Sequence, residues 1–326
     1  MKKYKYDFVT VGSVTIDITQ TVSDEFLKKE NLKKTDSNYI LSDQFNRLAA
    51  HPDIKMKAIG GPSVNIVTAL SMAGTRAGLI GKTGQDAYGE QFRSDIKKFD
   101  LTYEGAVCDK SGTKALMSYV TPDKDRTFAV SGSGGENIER ADINWDMIDQ
   151  AHYTHVDLFL MFSPIGTKAV DDVAAHLKAT GGKFALTLNC EPLMRRERQR
   201  IQKLAKQADI LVGSLDEFKA LFDVEKIDDV VRIAKTLKAQ VALTQGSKDV
   251  YVIHNGQVDV VPVNKVEGVI DTCGAGDQFA AGFIKGVIDR LSPKQSAEQG
   301  CLWSAQIIRH YGALQKKSPP LIKKVA

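Results

Sequence analysis

The sequence has few cysteines, no long apolar run and little charge of one sign. Its four cysteines, Cys108, Cys190, Cys273 and Cys301, stand far apart among 326 residues, with no Cys-x-x-Cys spacing. This argues against a disulfide framework or a cysteine zinc site and leaves reduced thiols as the expectation. No segment approaches about 18 uninterrupted apolar residues, so no membrane-spanning helix is expected. The first residues, Met-Lys-Lys-Tyr-Lys-Tyr-Asp, lack the apolar stretch of a signal peptide, and the expected location is cytoplasmic. The formal net charge is only +4, and lysines gather weakly at Lys316, Lys317, Lys323 and Lys324. A solvated tail accounts for that cluster, so neither a nucleic-acid nor a membrane partner is expected. At 43% hydrophobic and 26% charged, the composition suits one large α/β domain with a smaller appendage.

What the sequence does have is a glycine-bracketed turn opening onto a helix. Residues 271–282 read Asp-Thr-Cys-Gly-Ala-Gly-Asp-Gln-Phe-Ala-Ala-Gly. Phe279, Ala280, Phe283, Ile284, Val287 and Ile288 recur at three- and four-residue intervals, which predicts a helix starting near Gly274. Amides at such a helix start lack intrahelical acceptors, so Gly274, Ala275 and Gly276 could hold an anion with no side chain in the way. Asp277 would repel a resting phosphate there, yet it could take the proton from a hydroxyl attacking a held phosphoryl group. The alternative is a first-turn acid that only stabilises the helix dipole.

Earlier in the chain, Phe8 to Gly12 reads as a first buried strand that delivers Ser13 to Asp17 into a loop at its C-terminal edge. In open α/β sheets that edge is where ligands bind. Residues 21–57 are polar and lysine-rich, with weak helical patches at Asp24 to Glu30 and Asp43 to Ala50, and read as an insertion. Gly60-Gly61-Pro62 then opens a helix running to about Ala73. Gly81-Lys82-Thr83 is not a P-loop, because Arg76 stands where the motif needs glycine. Segments around Ala115 to Val120 and Thr127 to Val130 form a hairpin pattern turning at Pro122 and Asp123, and Ser131 to Gly135 reads as a linker.

Strands are expected near Thr154 to Leu160, Phe184 to Asn189, Ile210 to Val212 and Val241 to Thr244. Helices are expected near Gly166 to Ala179, Leu193 to Lys206 and Ile227 to Lys238, which together describe a parallel sheet with crossovers. Asn255-Gly256 marks a type I′ hairpin, and a last helix follows from Pro293 to about His310. His152, His155 and Asp157 invite a metal reading but lie in strand-like sequence with no further ligand cluster.

Asp-Thr-x-Gly-Ala-Gly-Asp followed by Phe-x-x-Gly-Phe, together with Gly60-Gly61-x-x-x-Asn65, resembles the two signatures of the ribokinase-like (PfkB) carbohydrate and nucleoside kinases. Within them, Thr244-Gln-Gly-Ser, Ser304 to Arg309, Phe162-Ser-Pro164 and Leu188-Asn189 resemble the adenosine kinase branch. The resemblance implies an α/β fold, a ribokinase-like sandwich with a central mostly parallel sheet flanked by helices, plus a small β-rich lid. The large domain would comprise residues 1–12, 58–104 and 132–326, and the lid 13–57 and 105–131. It implies ATP and Mg²⁺ as cofactors, with a monovalent cation as a further candidate, and a chain acting as monomer or homodimer on a nucleoside or sugar.

The resemblance also assigns residues. Asp277 would be the base, beside the anion-holding Gly274, Ala275 and Gly276. Asp17, Ser13, Gly60, Gly61 and Asn65 would hold the sugar, Phe159 would stack on a base, and Arg126 would reach the phosphates as the lid closes. Asn189, Ser214, Thr244, Gly246, Gly274, Gly276 and Cys301 would face ATP, with Glu217 organising magnesium through water. Ser214 stands where the family usually has asparagine, Ser13 where adenosine kinases have asparagine, and Asp157 where glycine is usual. The implied reaction is phosphorylation of a ribofuranosyl 5′-hydroxyl, with adenosine as the expected acceptor. A sugar kinase of the same family, or a nucleoside-binding regulator, is the alternative.

Overall fold

The structure, a computed structural model, describes residues 4–51, 53–123, 125–132, 134–263 and 265–322. Lys323, Lys324 and Ser133 of the linker lie outside the described residues. In chain order the strands are β1 (Tyr6–Val11), β2 (Thr15–Thr21), β3 (Ser37–Tyr39), β4 (Ile54–Gly60), β5 (Ala77–Gly84), β6 (Leu101–Cys108), β7 (Lys114–Val120), β8 (Arg126–Ser131), β9 (Ala151–Asp157), β10 (Lys183–Thr187), β11 (Ile210–Ser214), β12 (Gln240–Gln245), β13 (Lys248–His254) and β14 (Gln257–Val261).

Nine of them form one sheet in the order β14-β13-β12-β11-β10-β9-β1-β5-β6. From β12 to β6 the pairs are parallel, and the hairpin β13–β14 extends the far edge antiparallel. Asn255 and Gly256 both hold positive φ, 51° and 75°, as the expected type I′ turn requires. The central strands are apolar on both faces because both are covered. Val9, Val156, Leu186 and Leu211 pack toward helix Pro164–Thr180, while Phe8, Leu79, Ala185 and Ile210 pack toward helices Pro62–Met72, Ala275–Ile288 and Pro293–Ile307.

β1 pairs with β5 on one side and β9 on the other, so the chain winds in opposite directions from it. Crossovers leave a crevice at such a reversal, outside the C-terminal ends of the strands. Gly12, Ser13 and Asp157 stand at that crevice.

The smaller sheet, in the order β3-β8-β7-β2-β4, lies over this end. Ile16 and Ile18 of β2 face Leu27 and Phe45 of two short helices, Asp24–Lys29 and Ser42–Ala49, so Thr15 and Asp17 face the other way. Asp17 therefore lies within a strand rather than in the expected loop. Sheet membership also places β4, through Gly60, in the small sheet and β6, through Cys108, in the large one.

Other departures are local. β9 ends at Asp157, and residues 158–162 form a 3₁₀ turn, because the Asp157 carboxylate accepts the Phe159 amide at 2.9 Å. The helix expected over Leu193 to Lys206 is two, Glu191–Arg196 and Arg198–Gln207, and the one expected over Ile227 to Lys238 ends at Ala234. Among the described residues, no helix is long and apolar enough to cross a membrane.

Candidate active site

Asp17 and the glycine pair form the first wall of the site. A Cβ at Gly60 would meet the Asp17 carboxylate at 2.0 Å, and one at Gly61, whose φ is 100°, would meet the Ser13 carbonyl at 2.9 Å. Glycine is thus the residue that lets β4 close onto Asp17 and Ser13. The Thr15 hydroxyl donates to Asp17 at 2.6 Å. Burial pushes the Asp17 carboxyl up, opposed by Thr15, the Lys114 cation and the Gly61 amide. Gly61 caps helix Pro62–Met72, with Pro62 in its first turn, and this places Asn65 one turn in.

Asn65 reaches across to the helix of the second motif, where its Nδ2 donates to Asp277 Oδ2 at 2.8 Å. That helix spans Ala275–Ile288, capped by Gly274 in the left-handed conformation with φ 74°. A Cβ at Gly274 would strike Ala313 at 2.4 Å, whereas one at Gly276 would meet only open space. Of the three amides expected to face an anion, that of Ala275 donates to the Thr272 carbonyl at 3.2 Å here. Asp277 keeps some exposure, yet its carboxyl is pushed up to about 7 by burial, with Asp157, Asp17 and Glu217 adding to the rise and Asn65 opposing it. Those three neighbours mark a convergence of acids at one place.

Asp157 is fully buried, with Oδ1 held by the Phe159 amide and its Oδ2 without a hydrogen-bond partner among the described residues. Burial pushes it to about 6, against the pull of the Phe159 and Ser13 amides and of Lys114. Phe159 is half-buried and stacks on Phe162, centroids 5.6 Å apart. It is therefore not a core residue of a strand. The Lys114 ammonium lies 5.4 Å from the Phe159 ring centre and pairs with Glu136 in a buried ion pair. His155, by contrast, hydrogen-bonds Thr10 and Thr187 inside the sheet, and burial pushes it to about 3, so it is a neutral core residue.

The expected nucleotide side occupies the C-terminal edge of β10 to β12. Asn189 follows β10 with φ 63° and points Nδ2 at Asp157 from 3.5 Å. Ser214 ends β11 and caps helix Leu215–Phe222 in a reciprocal pair: its hydroxyl accepts the Glu217 amide, and its own amide donates to Glu217 Oε2 at 2.7 Å. Burial, then nearby Asp216 and Glu191, push Glu217 up. Thr244 closes β12, Gly246 turns the chain with φ 62° and open space around it, and half-buried Cys301 sits on helix Pro293–Ile307.

Arg126 is neither solvent-exposed nor free. Its guanidinium pairs with the fully buried Asp271 at the start of the glycine turn. Asp271 also accepts the Cys273 amide at 2.6 Å and the Gly312 amide at 3.1 Å. The smaller sheet is thereby tied to the turn that precedes Asp277.

Residues 39–319 match the pfkB family carbohydrate kinase description. The chain belongs to the pfkB family. It is 24% identical to adenosine kinase 2 of Arabidopsis thaliana, with 95% of each chain covered. It is 27% identical to the ATP-dependent ribose-1-phosphate kinase of Halopiger xanaduensis, covering 69% of this chain and 72% of that one. Among solved structures it superposes on adenosine kinase from Sinorhizobium meliloti with a TM-score of 0.84 at 27% identity, covering 98% and 97%. A probable sugar kinase from Rhizobium etli superposes at 0.87 with 24% identity, covering 97% and 96%. PfkB kinases phosphorylate sugar or nucleoside hydroxyls, use ATP and generally need Mg²⁺.

This pfkB chain carries site features that motif reading passed over. Lys114 and Glu136 are distant in sequence and meet only through the β7 fold, though the β7 alternation put Lys114 on the Asp17 face. Asp271 had a visible place in the glycine turn, but its pairing with an arginine of the smaller sheet 145 residues away did not.

Proposed function

We propose that this chain transfers the γ-phosphoryl group of ATP to the primary hydroxyl of a ribofuranosyl substrate, with adenosine as the first candidate. The observation that carries this reading is the Asn65–Asp277 pair at the start of helix Ala275–Ile288. Asn65 occupies Oδ2 and leaves Oδ1 to take the hydroxyl proton, and a carboxyl near neutrality is suited to that transfer. The Gly276 amide, at the start of the helix, would face the charge that builds on the transferring group, whereas that of Ala275 would first have to leave the Thr272 carbonyl. Asp17, aligned by Thr15 and the glycine pair, offers two oxygens to adjacent sugar hydroxyls.

Glu217 uses one oxygen in the helix cap and can present the other to a hydrated magnesium ion, which supplies charge neutralisation between the phosphates. Hard oxygen donors amid excess negative charge fit such an ion, and Mg²⁺ commonly keeps most of its waters. Phe159 and Phe162 give a nucleobase an aromatic face.

A second reading, a free sugar as acceptor, is favoured by the Lys114 ammonium on that same face and by the unpartnered Asp157 oxygen. A hydroxyl can accept from the first and donate to the second, while the ammonium takes up part of the ring face that a stacked purine needs. Comparing kcat/KM for adenosine, inosine, ribose, fructose and ribose 1-phosphate with MgATP separates the two. A preference for adenosine of about 100-fold or more upholds the first reading; a preference for a sugar transfers the proposal to the second, and no turnover on any of them removes both.

A further inference from the structure

A cavity of about 360 Å³ lies behind the smaller sheet, on the face away from Asp17. Strand alternation fixes that face. Thr15 is in register with Lys114 and Asp17 with Leu116, so Ala115 points to the back, where it joins Phe45 in flooring the cavity. The lid and the large domain each supply a wall. Phe45, Lys57 and Ala115 belong to the lid, while Tyr88 belongs to helix Ala87–Asp95 beside the large sheet. Gly112 and Gly132, where the chain enters and leaves the lid for the second time, line the remaining side. These two crossings lean on each other. The Gly134 amide donates to the Gly112 carbonyl at 2.9 Å, and a Cβ at Gly132, whose φ is 76°, would meet the Thr113 carbonyl at 2.3 Å.

The chemistry of the walls is uneven. Phe45 and Tyr88 pack edge to face at 6.0 Å, and the exposed Lys57 ammonium stands 4.9 Å from the Tyr88 ring centre. Among the described residues no carboxylate lies within ion-pairing distance of Lys57. The one acid in the lining, Asp86, is already engaged: Oδ1 accepts from the Gly89 amide and the Thr113 hydroxyl, and Oδ2 from the Thr113 amide. An entering molecule therefore meets an apolar aromatic floor and one uncommitted cation at its rim.

From this we infer that the cavity is a regulatory site for a small monoanion with an aromatic or branched apolar body, and that its occupant sets the angle of the lid. Because one wall moves with the lid, rotation at the glycine crossings changes the width of the cavity. A ligand that prefers one width must shift the lid by the same free energy. The coupling rests on the lid reading above, while the binding does not depend on which acceptor the enzyme uses.

The test uses the full chain with benzoate and its neutral isostere benzamide, followed by heteronuclear NMR titration and hydrogen exchange. Benzoate should bind saturably, with a Kd on the order of 1 mM for so small a ligand. Lys57→Ala should weaken it by about tenfold while leaving benzamide unchanged, and Lys57→Arg should restore most of it. Lys57 is exposed and makes no ion pair among the described residues, so all three proteins should melt alike, which keeps a folding defect from imitating the result. Exchange at the Thr113 and Gly134 amides should slow by about threefold or more when benzoate is bound. No saturable binding, or binding indifferent to Lys57→Ala, overturns the site. Binding that leaves the hinge amides unchanged overturns the control of the lid, whether or not the kinase reading stands.

Discussion

At the scale of the residue, Asp277 concentrates the chemistry. Its carboxyl is pushed up to about 7 by burial and three acidic neighbours that disfavour its charge. A base must be ionised to act, so kcat/KM should fall about tenfold per pH unit below an apparent pKa near 7 and be flat above it. A pH–rate profile checks this, and a limb near 4 would show that the carboxylate is not held up. The same shift has a stability consequence. The folded pKa lies above the unfolded value, so the folded state binds the extra proton between about pH 4 and 7, and stability declines as pH rises through that window. Asp277→Asn should accordingly stabilise the protein at pH 8, by about 2 kcal/mol or more, and change little at pH 4. Paired thermal melts at the two pH values measure it. Asp277 was legible as a candidate from the glycine turn alone, and Asn65 from its own motif, but their pairing across 212 positions was not, because only the packing of two helices brings them together.

At the scale of the element, the two glycines of the turn have separate jobs. Gly274 holds a left-handed φ against Ala313, so Gly274→Ala should cost about 1–3 kcal/mol of stability as well as activity. Gly276 has open space before it, so Gly276→Ala should fold with near-native stability yet lose kcat by about tenfold or more, since its methyl enters the space proposed for the phosphoryl group. Melting curves beside steady-state rates distinguish the two, and equal stability losses would contradict the assignment. Helix starts at Pro62 and Pro293 and the Asn255-Gly256 hairpin were legible because each depends on local backbone chemistry. β2 was less so. Its Ile16 and Ile18 alternate with polar residues, but the run is short and only three residues separate it from β1, where a loop at the sheet edge was the simpler reading. Ser214, expected to face ATP, also caps helix Leu215–Phe222 and holds Glu217 in place, a duty visible only with the helix start defined.

At the scale of the molecule, two sheets close over the acids, and the Arg126–Asp271 pair ties them together. If that tie holds the lid down over the acceptor, Arg126→Ala should raise the acceptor KM by about tenfold with a smaller loss of kcat. Asp271→Asn should lower kcat as well, because the same carboxylate holds the Cys273 amide in the turn. Steady-state kinetics on both variants decide this, and an unchanged KM in Arg126→Ala would release the pair from any role in closure. The α/β order of the large sheet was readable from alternating periodicities, whereas the contact between the smaller sheet and the turn depends on a relative placement that no local pattern encodes.

The measurement that bears most directly on the central claim is phosphoryl transfer from γ-labelled MgATP to an accepted nucleoside or sugar, followed in a single turnover with wild type and Asp277→Asn side by side. The account predicts label on the acceptor's primary hydroxyl with wild type. It predicts a transfer rate lower by about 100-fold or more in the variant, with acceptor affinity nearly unchanged. Comparable transfer rates in the two proteins would contradict it.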